Sequence, residues 1–456
     1  MIGFNKHNVF FIGIGGIGMS ALARWFKAND FEVVGYDKTT TGLTKKLLAE
    51  GIKIHFEDAL KHIPEDFTNN NTLVIYTPAI PADHSQYNYF KEQGYEVKKR
   101  SEILGKISAT MFTVAVAGTH GKTTTSSMIA HILHNSGVDT TAFLGGIATN
   151  YHSNLLLGKS DKTIAVIEAD EYDRSFLQLS PDIEVITSVD ADHLDIYGDK
   201  NGMLDSYSLF YKRLQANGQC VISANAQETL QLKNIEIYGI HGNITAHNLK
   251  IEKGKYHFDY VNDVHIIKDI QLNLPGDHNT ENALAAITVA VKLGVSDTNI
   301  RQAFASYKGV KRRFEYVLEL PGFTFIDDYA HHPAEISAFI STLKKLYPDE
   351  IIQVIFQPHL YSRTRDFAEE FAASLSLADA VILMDIYPAR ELPIKGVTSE
   401  IILNKINIEN KKIMTREEIF ALLENNRPEV LATIGAGNID ALVPEIKELM
   451  TKTIVA

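Results

Sequence analysis

The stretch VAVAGTHGKTTTSSMIA, from Val114 to Ala130, decides the fold of this chain. A short β-branched run meets a tight glycine turn, and apolar residues then recur at helical spacing, so the stretch predicts a strand, a loop and a helix. Backbone N–H groups and the positive end of the helix dipole converge in such a loop, and Lys122 adds a full charge. The pattern favours a bound nucleotide phosphate over a plain turn with a solvated lysine. The predicted phosphate-binding residues are Gly118, Thr119, His120, Gly121, Lys122, Thr123 and Thr124.

One position of this loop departs from the usual pattern. The first glycine is expected five residues before Gly121, where Val116 stands, and the chain has Gly118 instead. The hydroxyl that follows the lysine, here on Thr123, is where phosphate-binding loops hold a magnesium ion. We therefore expect Thr123 to be a metal ligand.

Four carboxylates follow the next predicted strand within six residues: Glu168, Asp170, Glu171 and Asp173. A solvated acidic loop would explain them in isolation. Beside a phosphate loop they are better explained as oxygen ligands for the magnesium of a triphosphate, and Glu168, the first out of the strand, is the best candidate. His193, after a further strand, is either a metal ligand or a hydrogen-bonded core histidine.

The N-terminal segment NVFFIGIGGIGMS has a glycine turn between a strand and a helix. With Asp37 after the second strand, it is typical of a site where backbone approaches a pyrophosphate and an acid meets a ribose. The pattern is weak alone, and it supports a bound pyrophosphate better than NAD because hydride-transfer machinery is not evident elsewhere. The candidate residues are Gly13, Gly15, Gly16, Gly18 and Asp37.

Composition limits the class of protein. The 456 residues are 45% hydrophobic and 22% charged, with a net charge of −12, which is ordinary for a globular protein and argues against broad binding to nucleic acid or anionic membranes. Cys220 is the only cysteine, so an intrachain disulfide is impossible. The uncharged N-terminal run contains four glycines and lacks a small-residue cleavage pattern, so it is interpreted as a buried strand and turn rather than a signal peptide. We expect a cytoplasmic protein.

The length suggests about three domains, and we place them at residues 1–108, 109–315 and 316–456. Strands alternate with helices, which predicts an α/β fold with parallel sheets. In the third domain each predicted strand leads into a polar loop, and such loops meet at one edge of a parallel sheet. The loops include YAHHP, QPHLYSRTR and IYPARE.

Several residues near these loops are candidates for ligand contacts. Arg312 and Arg313 lie at the second domain boundary and either bind transferring phosphate oxygens or form a solvated linker pair. Arg363 and Arg365, near His359, can each fork onto a carboxylate or phosphate. Four others supply a ribose contact, an acid/base group or a metal site: Asp327, Asp328, His331 and His332. Pro333 marks the helix start behind them.

From the residues alone, the chain is interpreted as a magnesium-dependent, ATP-using enzyme of three domains with one pyrophosphate-bearing ligand. A kinase, an ATPase and a ligase all fit this description.

With these segments assembled, the chain resembles the Mur ligase family of peptidoglycan synthesis over essentially its whole length. The resemblance is carried by motifs in the family's order: GIGGIGMS, AGTHGKTTT, EADEYDRSFL, ADHLDIYG, GDHNTENALAA, GVKRRFE, DDYAHHPAE, FQPHLYSRTRDF and IYPARE. The family's loop is similarly shortened, with its glycine three residues before GK, so Val116 is not a defect. The resemblance implies a Rossmann-like N-terminal domain, a central P-loop ATPase-like domain and a Rossmann-like C-terminal domain.

The resemblance also implies a reaction. ATP would phosphorylate the lactyl carboxylate of UDP-N-acetylmuramate, and the amine of L-alanine would displace phosphate from the acyl phosphate, with domain closure aligning the reactants. The N-terminal glycines would cradle the UDP group. Lys122 and Thr123 would hold phosphate and Mg²⁺, with Mn²⁺ as a substitute, and Glu168 and His193 would complete the metal sites. Asn282 would read adenine, Arg313 contact ATP phosphate, Asp328 contact the ribose, and His359 and Arg363 orient the muramyl and amino-acid groups.

Two positions depart from the family pattern. Leu360 stands where many relatives have arginine, and Arg390 where glycine is frequent, so the amino-acid pocket is expected to be charged differently.

Two alternative functions stay open: a recycling ligase that attaches a tripeptide to the same sugar nucleotide, and a nucleotide-binding regulator without turnover. A monomer or weak homodimer is expected.

Overall fold

The computed structural model describes residues 4–160, 162–190, 194–252, 254–389 and 391–455. The chain folds into two compact units. The first contains the chain up to Lys250 together with His257–Asn273 and Asn279–Lys308. The second contains Ile251–Tyr256, Leu274–His278 and the chain from Gly309 onward. Both units are α/β, as predicted.

The N-terminal sheet of the first unit has five parallel strands in the order β3-β2-β1-β4-β5. The strands are β1 (Asn8–Ile12), β2 (Glu32–Tyr36), β3 (Lys53–His55), β4 (Thr72–Tyr76) and β5 (Glu96–Lys99). The helices are α1 (Ile17–Ala28), α2 (Gly42–Ala49), α3 (Ser85–Glu92) and α4 (Arg100–Ser108), with a short 3-10 helix at Leu60–His62. This strand order is the one expected for a Rossmann-like sheet.

Both faces of the N-terminal sheet are covered. Val9 and Phe11 of β1 belong to one apolar cluster, with Trp25 and Phe26 of α1, whereas Phe10 belongs to another with Phe90 of α3. A central strand that is buried on both faces needs a continuous apolar run, and NVFFI supplies one.

The central sheet of the first unit has seven strands in the order β12-β11-β10-β6-β9-β7-β8. The strands are β6 (Phe112–Ala117), β7 (Thr140–Ala148), β8 (Ser153–Leu156), β9 (Ile164–Glu168), β10 (Ile183–Ile186), β11 (Gln219–Ser223) and β12 (Ile235–Tyr238). Only the β7–β8 pair is antiparallel among the recorded pairings of this sheet. Because β6 lies between β9 and β10, the loops after these three strands meet at one edge.

Six helices and a small sheet accompany the central sheet. The helices are α5 (Lys122–Asn135), α6 (Leu194–Tyr197), α7 (Lys200–Tyr211), α8 (Ala224–Leu230), α9 (Asp277–Lys292) and α10 (Asp297–Ser306), with a 3-10 segment at Tyr172–Gln178. A three-stranded sheet has the order β13-β14-β15, with β13 (Thr245–Glu252), β14 (Lys255–Val261) and β15 (Ile266–Leu272).

The C-terminal sheet has six strands in the order β16-β17-β21-β18-β19-β20, of which only the β16–β17 pair is antiparallel. The strands are β16 (Glu315–Leu320), β17 (Phe323–Asp328), β18 (Ile352–Phe356), β19 (Ala380–Leu383), β20 (Lys411–Ile413) and β21 (Val430–Ile434). The helices are α11 (Pro333–Leu346), α12 (Tyr361–Asp366), α13 (Ala368–Leu375), α14 (Glu400–Leu403), α15 (Arg416–Asn425) and α16 (Leu442–Val455), with a 3-10 turn at Asn438–Ala441. Pro333 begins α11, as predicted.

Within the described ranges, no helix combines the length and the apolar character needed to span a bilayer.

Candidate active site

The predicted phosphate loop is a four-residue turn, Gly118 to Gly121, between β6 and α5. Both glycines have positive φ, at 139° and 81°, and a Cβ atom at Gly121 would lie 2.6 Å from Oδ1 of Asn282. Larger residues would therefore be strained and crowded at both positions. The N-cap residue of α5 makes no side-chain capping hydrogen bond. The first turn of α5 thus offers its N–H groups to an anion.

The loop is attached to the segment after the neighbouring strand β10. The N–H groups of Thr119 and His120 donate to the backbone oxygen (3.1 Å) and the Oγ (2.8 Å) of Ser188, and the Thr119 hydroxyl donates to the Asp190 oxygen at 2.8 Å. These bonds hold the loop in one conformation.

Two predicted ligand residues, Thr123 and Thr124, lie in the first turn of α5 and are buried. The Thr125 hydroxyl donates to Oδ1 of Asn282 at 3.1 Å. Asn282 of α9 is therefore beside the loop, although it was predicted from a segment more than 150 residues away.

Lys122 directs its ammonium group back across the loop. Its Nζ donates to the oxygens of Gly118 (2.5 Å) and Thr119 (3.2 Å) and to Oε1 of Glu171 (2.8 Å). Burial lowers the pKa of Lys122, but the carboxylates of Glu171, Glu168 and Asp170 outweigh that effect and raise the pKa above its ordinary value. The ammonium is therefore charged.

The four carboxylates of the acidic segment have different environments. Three are paired with cations: Asp170 with Arg100 at 3.0 Å, Glu171 with Lys122 at 2.8 Å, and Asp173 with Lys99 at 2.8 Å. Oε2 of Glu168 accepts the N–H of Gly145 at 2.9 Å, and no ion pair to Glu168 is recorded in the described part of the chain. Glu168 is thus the carboxylate with ligand capacity left.

The surroundings of Glu168 and Thr123 fit a magnesium ion bound together with phosphate. Carboxylate and hydroxyl oxygens are ligands that Mg²⁺ accepts, and it usually takes its other ligands from water and phosphate. A Cβ atom at Gly145 would lie 2.2 Å from Oε1 of Glu168, so only glycine allows this approach. Among the described residues, no group of three or more His, Cys, Asp or Glu could hold a metal by itself. His193, the third predicted ligand, lies outside the described residues.

The N-terminal glycine turn follows β1. Gly13 has a φ of 84°, its N–H and that of Ile14 donate to the Tyr36 oxygen, and the N–H of Gly15 donates to Oδ2 of Asp37 at 2.7 Å. Asp37, expected to meet a ribose, therefore also fixes the turn. Gly16 is the N-cap of α1 and makes no side-chain capping bond, so the first N–H groups of this helix also face outward for an anion.

Arg100, which the sequence reasoning missed, connects the glycine turn with the acidic segment. A Cβ atom at Gly18 would lie 2.0 Å from one Nη of Arg100, whose other Nη donates to Asp170. A cavity of about 90 Å³ adjoins them, lined also by Gly145, Glu168 and apolar residues of α1. The sequence feature that could have identified Arg100 is its position directly after a strand.

In the second unit, the loop before β16 and the end of β17 form a charged cluster. Nε of Arg312 donates to Oδ2 of Asp327 at 3.1 Å, and the guanidinium groups of Arg312 and Arg313 each lie 5.2 Å from the ring centre of Tyr329. Asp328 accepts N–H bonds of 2.7 Å from Phe314 and Ala330. Burial raises the pKa of Asp328 to about 6, although Arg313 opposes the shift.

Two predicted histidines of this unit, His331 and His359, lie after the carboxyl ends of β17 and β18. The rings of His331 and His359 are 6.3 Å apart, and His359 stacks on Tyr387 at 5.8 Å. Burial lowers the pKa of His331 to about 4, and Arg363 and Arg313 lower it against the opposing effect of Glu335. The predicted residues Arg313, His331, His359 and Arg363 are therefore gathered at one edge of the sheet.

Four other residues singled out in the sequence do not join this group in the described structure. His332 is the N-cap of α11, where its side chain accepts the N–H of Ala334. Arg365 pairs with its neighbour Asp366 at 2.7 Å and is half exposed, so it behaves as a surface charge in this structure. Leu360 has a φ of 70° ahead of α12, and Arg390 lies outside the described residues.

The fold and the loop define the class of protein: an α/β protein built on several parallel sheets, with a phosphate-loop turn at the carboxyl edge of the central one. Family models match it in three places. The Mur ligase family catalytic domain matches residues 8–111, the Mur ligase middle domain residues 116–290, and the Mur ligase glutamate ligase domain residues 312–437.

Curated relatives and solved structures agree with these matches. The UDP-N-acetylmuramate–L-alanine ligase of Flavobacterium psychrophilum is 51% identical over 97% of this chain and 98% of its own length. The enzyme of the same name from Cytophaga hutchinsonii is 47% identical over 97% of both chains. The crystal structure of UDP-N-acetylmuramate–alanine ligase from Thermotoga maritima superposes with a TM-score of 0.83 at 27% identity, covering 98% of this chain and 99% of that one. This chain belongs to the Mur ligase family.

Proposed function

We propose that the protein ligates L-alanine to the lactyl carboxylate of UDP-N-acetylmuramate at the expense of ATP. The products are UDP-N-acetylmuramoyl-L-alanine, ADP and phosphate, and the reaction belongs to peptidoglycan synthesis. The proposal is supported by the names of the full-length relatives. The single structural observation that carries it is the phosphate loop with a charged Lys122 and with Glu168, a carboxylate that makes no ion pair to any of the described residues.

The reaction needs two steps because a carboxylate does not react with an amine until one of its oxygens becomes a leaving group. In the first step, a carboxylate oxygen attacks the γ-phosphorus of ATP and the bond to ADP breaks, which gives an acyl phosphate. In the second, the amine nitrogen of L-alanine attacks the acyl carbon, phosphate leaves, and the nitrogen loses a proton. Positioning and neutralisation of charge supply most of the rate enhancement in phosphoryl transfer.

The phosphate loop, from Gly118 to Thr124, is proposed to bind the ATP phosphates through Lys122 and through those of its N–H groups that do not donate to Ser188. Thr123 and Glu168, with His193, would hold Mg²⁺, which neutralises phosphate charge when bound, and Mn²⁺ is a possible substitute. Asn282, which contacts the loop through Thr125, is proposed to recognise adenine.

The second unit is proposed to supply the remaining polar contacts. Arg313 would contact an ATP phosphate and Asp328 the ribose. His359 and Arg363 would orient the muramyl and amino-acid groups. The two arginines carry donors suited to phosphate and carboxylate oxygens, and the fixed orientation of Asp328 supports a role as a hydrogen-bond acceptor.

The UDP group is proposed to bind at the glycine turn, from Gly13 to Gly18. The uncapped start of α1 and the guanidinium of Arg100 beside Gly18 favour an anion there. Asp37 fixes the conformation of this turn.

The test is phosphate release measured with ATP, Mg²⁺ and UDP-N-acetylmuramate, with the amino acid varied. L-Alanine should support the fastest release, ahead of L-serine and glycine. The tripeptide should support little phosphate release. Faster release with the tripeptide than with L-alanine would indicate the recycling ligase instead. The absence of release with any of the four would refute the ligase proposal and leave the nucleotide-binding regulator.

Consumption of ATP favours a cytoplasmic location. Neither nucleic acid nor a membrane is proposed as a partner, and the monomer or weak homodimer stays a prediction.

A further inference from the structure

The ammonium group of Lys122 has all its donors in use. A lysine ammonium carries three N–H donors, and three oxygens accept from this one: the backbone oxygens of Gly118 and Thr119 and Oε1 of Glu171. A phosphate oxygen can therefore bind Lys122 only after one of these acceptors is released.

The backbone of Glu171 is held in place. Its backbone oxygen accepts the Tyr197 hydroxyl at 2.5 Å and the N–H of Arg174 at 2.9 Å. The carboxylates on both sides of it are tied to other cations, Asp170 to Arg100 and Asp173 to Lys99. The segment that carries Glu171 is therefore anchored on both sides of this residue.

The carboxylate of Glu171 is buried, with the residue only 3% exposed. Its second oxygen, Oε2, has no hydrogen-bond partner among the described residues. Among the described residues, four ionisable groups act on it: Lys122 of α5, Asp170 of its own segment, Tyr197 of α6 and Tyr207 of α7. Lys122 is the only cation among them, so the ion pair stabilises the ATP-free chain and opposes its opening.

We propose that Glu171 is a positioning residue that occupies Lys122 until ATP arrives, so that nucleotide binding proceeds by exchange of a carboxylate for a phosphate on the same ammonium. The inference rests on the proposed function, since it requires ATP at this loop. Glu171 thereby sets the threshold for nucleotide binding, a role distinct from the metal ligation proposed for Glu168.

The test compares ATP affinity in the wild-type protein and in Glu171→Gln by calorimetry, once with Mg²⁺ and once with a chelator. The substitution removes the charge of Glu171 from its bond to Lys122, and this bond exists only in the ATP-free protein. ATP binding should therefore tighten about ten-fold in both conditions. The matched control is Asp173→Asn, which removes an ion pair of the same 2.8 Å length from the same segment without touching Lys122. Its ATP affinity should stay within about two-fold of wild type.

A gain of affinity is a result that mere structural damage does not produce. If Glu171→Gln does not fold, Glu171→Asp keeps the charge at a greater distance and should tighten ATP binding about three-fold. Unchanged or weaker binding in the folded variant overturns the inference, and weakening only with Mg²⁺ would make Glu171 a metal ligand instead. Failure of the wild type to bind ATP, or undiminished binding by Lys122→Ala, would refute the proposed function itself.

Discussion

At the scale of single residues, Glu168 differs from the three carboxylates that follow it. Those three are neutralised by Arg100, Lys122 and Lys99, whereas Glu168 receives the backbone N–H of Gly145. A carboxylate with this environment keeps lone pairs for a cation. The contrast within six residues allows the metal role to be tested by two isosteric substitutions.

Glu168→Gln should raise the Mg²⁺ concentration needed for half-maximal phosphate release by at least about ten-fold, because an amide oxygen carries no charge for the ion. Asp173→Asn is the control, since its carboxylate is one-third exposed and paired with Lys99, and it should titrate like wild type. A titration of activity against Mg²⁺ distinguishes them, and identical curves for Glu168→Gln and wild type would remove Glu168 from the metal site.

Gly15 tests the sugar-nucleotide site. A Cβ atom there would lie 2.7 Å from both Oδ2 of Asp37 and a methyl group of Thr44. Gly15→Val should therefore displace the turn and weaken UDP-N-acetylmuramate binding on the order of ten-fold, with ATP affinity kept. The control is Gly42→Val, where a Cβ meets no atom within 4 Å. Calorimetry with each nucleotide would reassign the two sites if Gly15→Val impaired ATP binding alone.

At the scale of secondary-structure elements, α5 is joined to α10 through a buried histidine. Nε2 of His131 lies 3.1 Å from the Ala303 oxygen, which can only accept, and Nδ1 lies 2.8 Å from the Tyr151 hydroxyl. Nε2 therefore carries the proton, Nδ1 accepts from tyrosine, and the ring is neutral. Burial is the main reason that the pKa of His131 is lowered to about 4, and His134 on the same helix adds to the shift.

This pairing predicts a pH dependence of stability. Between about pH 6.5 and pH 4 the unfolded chain protonates His131 while the folded chain does not, so stability falls as the pH falls through that range. At pH 5 this difference in protonation lowers the free energy of unfolding by about 2 kcal/mol relative to neutral pH. His131→Gln should lower the melting temperature at pH 7. Between pH 7 and pH 5, however, the melting temperature of this variant should fall by less than that of the wild type. The exposed His134→Gln is the control, and equal losses in His131→Gln and wild type would contradict this account.

The elements also indicate what a sequence can specify. β6, the loop and α5 were predicted because strand and helix periodicity and the glycine–lysine turn are local features. Helix boundaries are less predictable, because they depend on hydrogen bonds that periodicity does not reveal.

The pairings that define the site were not predictable from local sequence. Lys122 reaches Glu171 over 49 residues, Arg100 reaches Asp170 over 70, and Lys99 reaches Asp173 over 74. The first contact follows from strand order, which places the loop after β6 beside the one after β9. The other two join the end of β5, in the N-terminal sheet, to the segment after β9 in the central sheet. The candidate residues were therefore found by type, whereas their partners required the fold.

At the scale of the whole molecule, an acidic chain with a net charge of −12 is proposed to bind two anionic nucleotides. An acidic protein can bind anions where cations are placed locally. In the first unit, Lys99, Arg100 and Lys122 surround the acidic segment. In the second unit, Arg313 and Arg363 lie among the loops after β17 and β18. The placement of individual cations at these edges, rather than the net charge of the chain, is proposed to determine where phosphate binds.

The proposed reaction depends on the transfer of the terminal phosphate of ATP to the carboxylate of the sugar nucleotide. The most direct measurement uses UDP-N-acetylmuramate with ¹⁸O in its lactyl carboxylate and follows the label by mass spectrometry in a complete reaction with L-alanine. One ¹⁸O atom should appear in each phosphate released, because the acyl phosphate breaks at the acyl carbon. Phosphate that contains no ¹⁸O while the amide product accumulates would contradict the account.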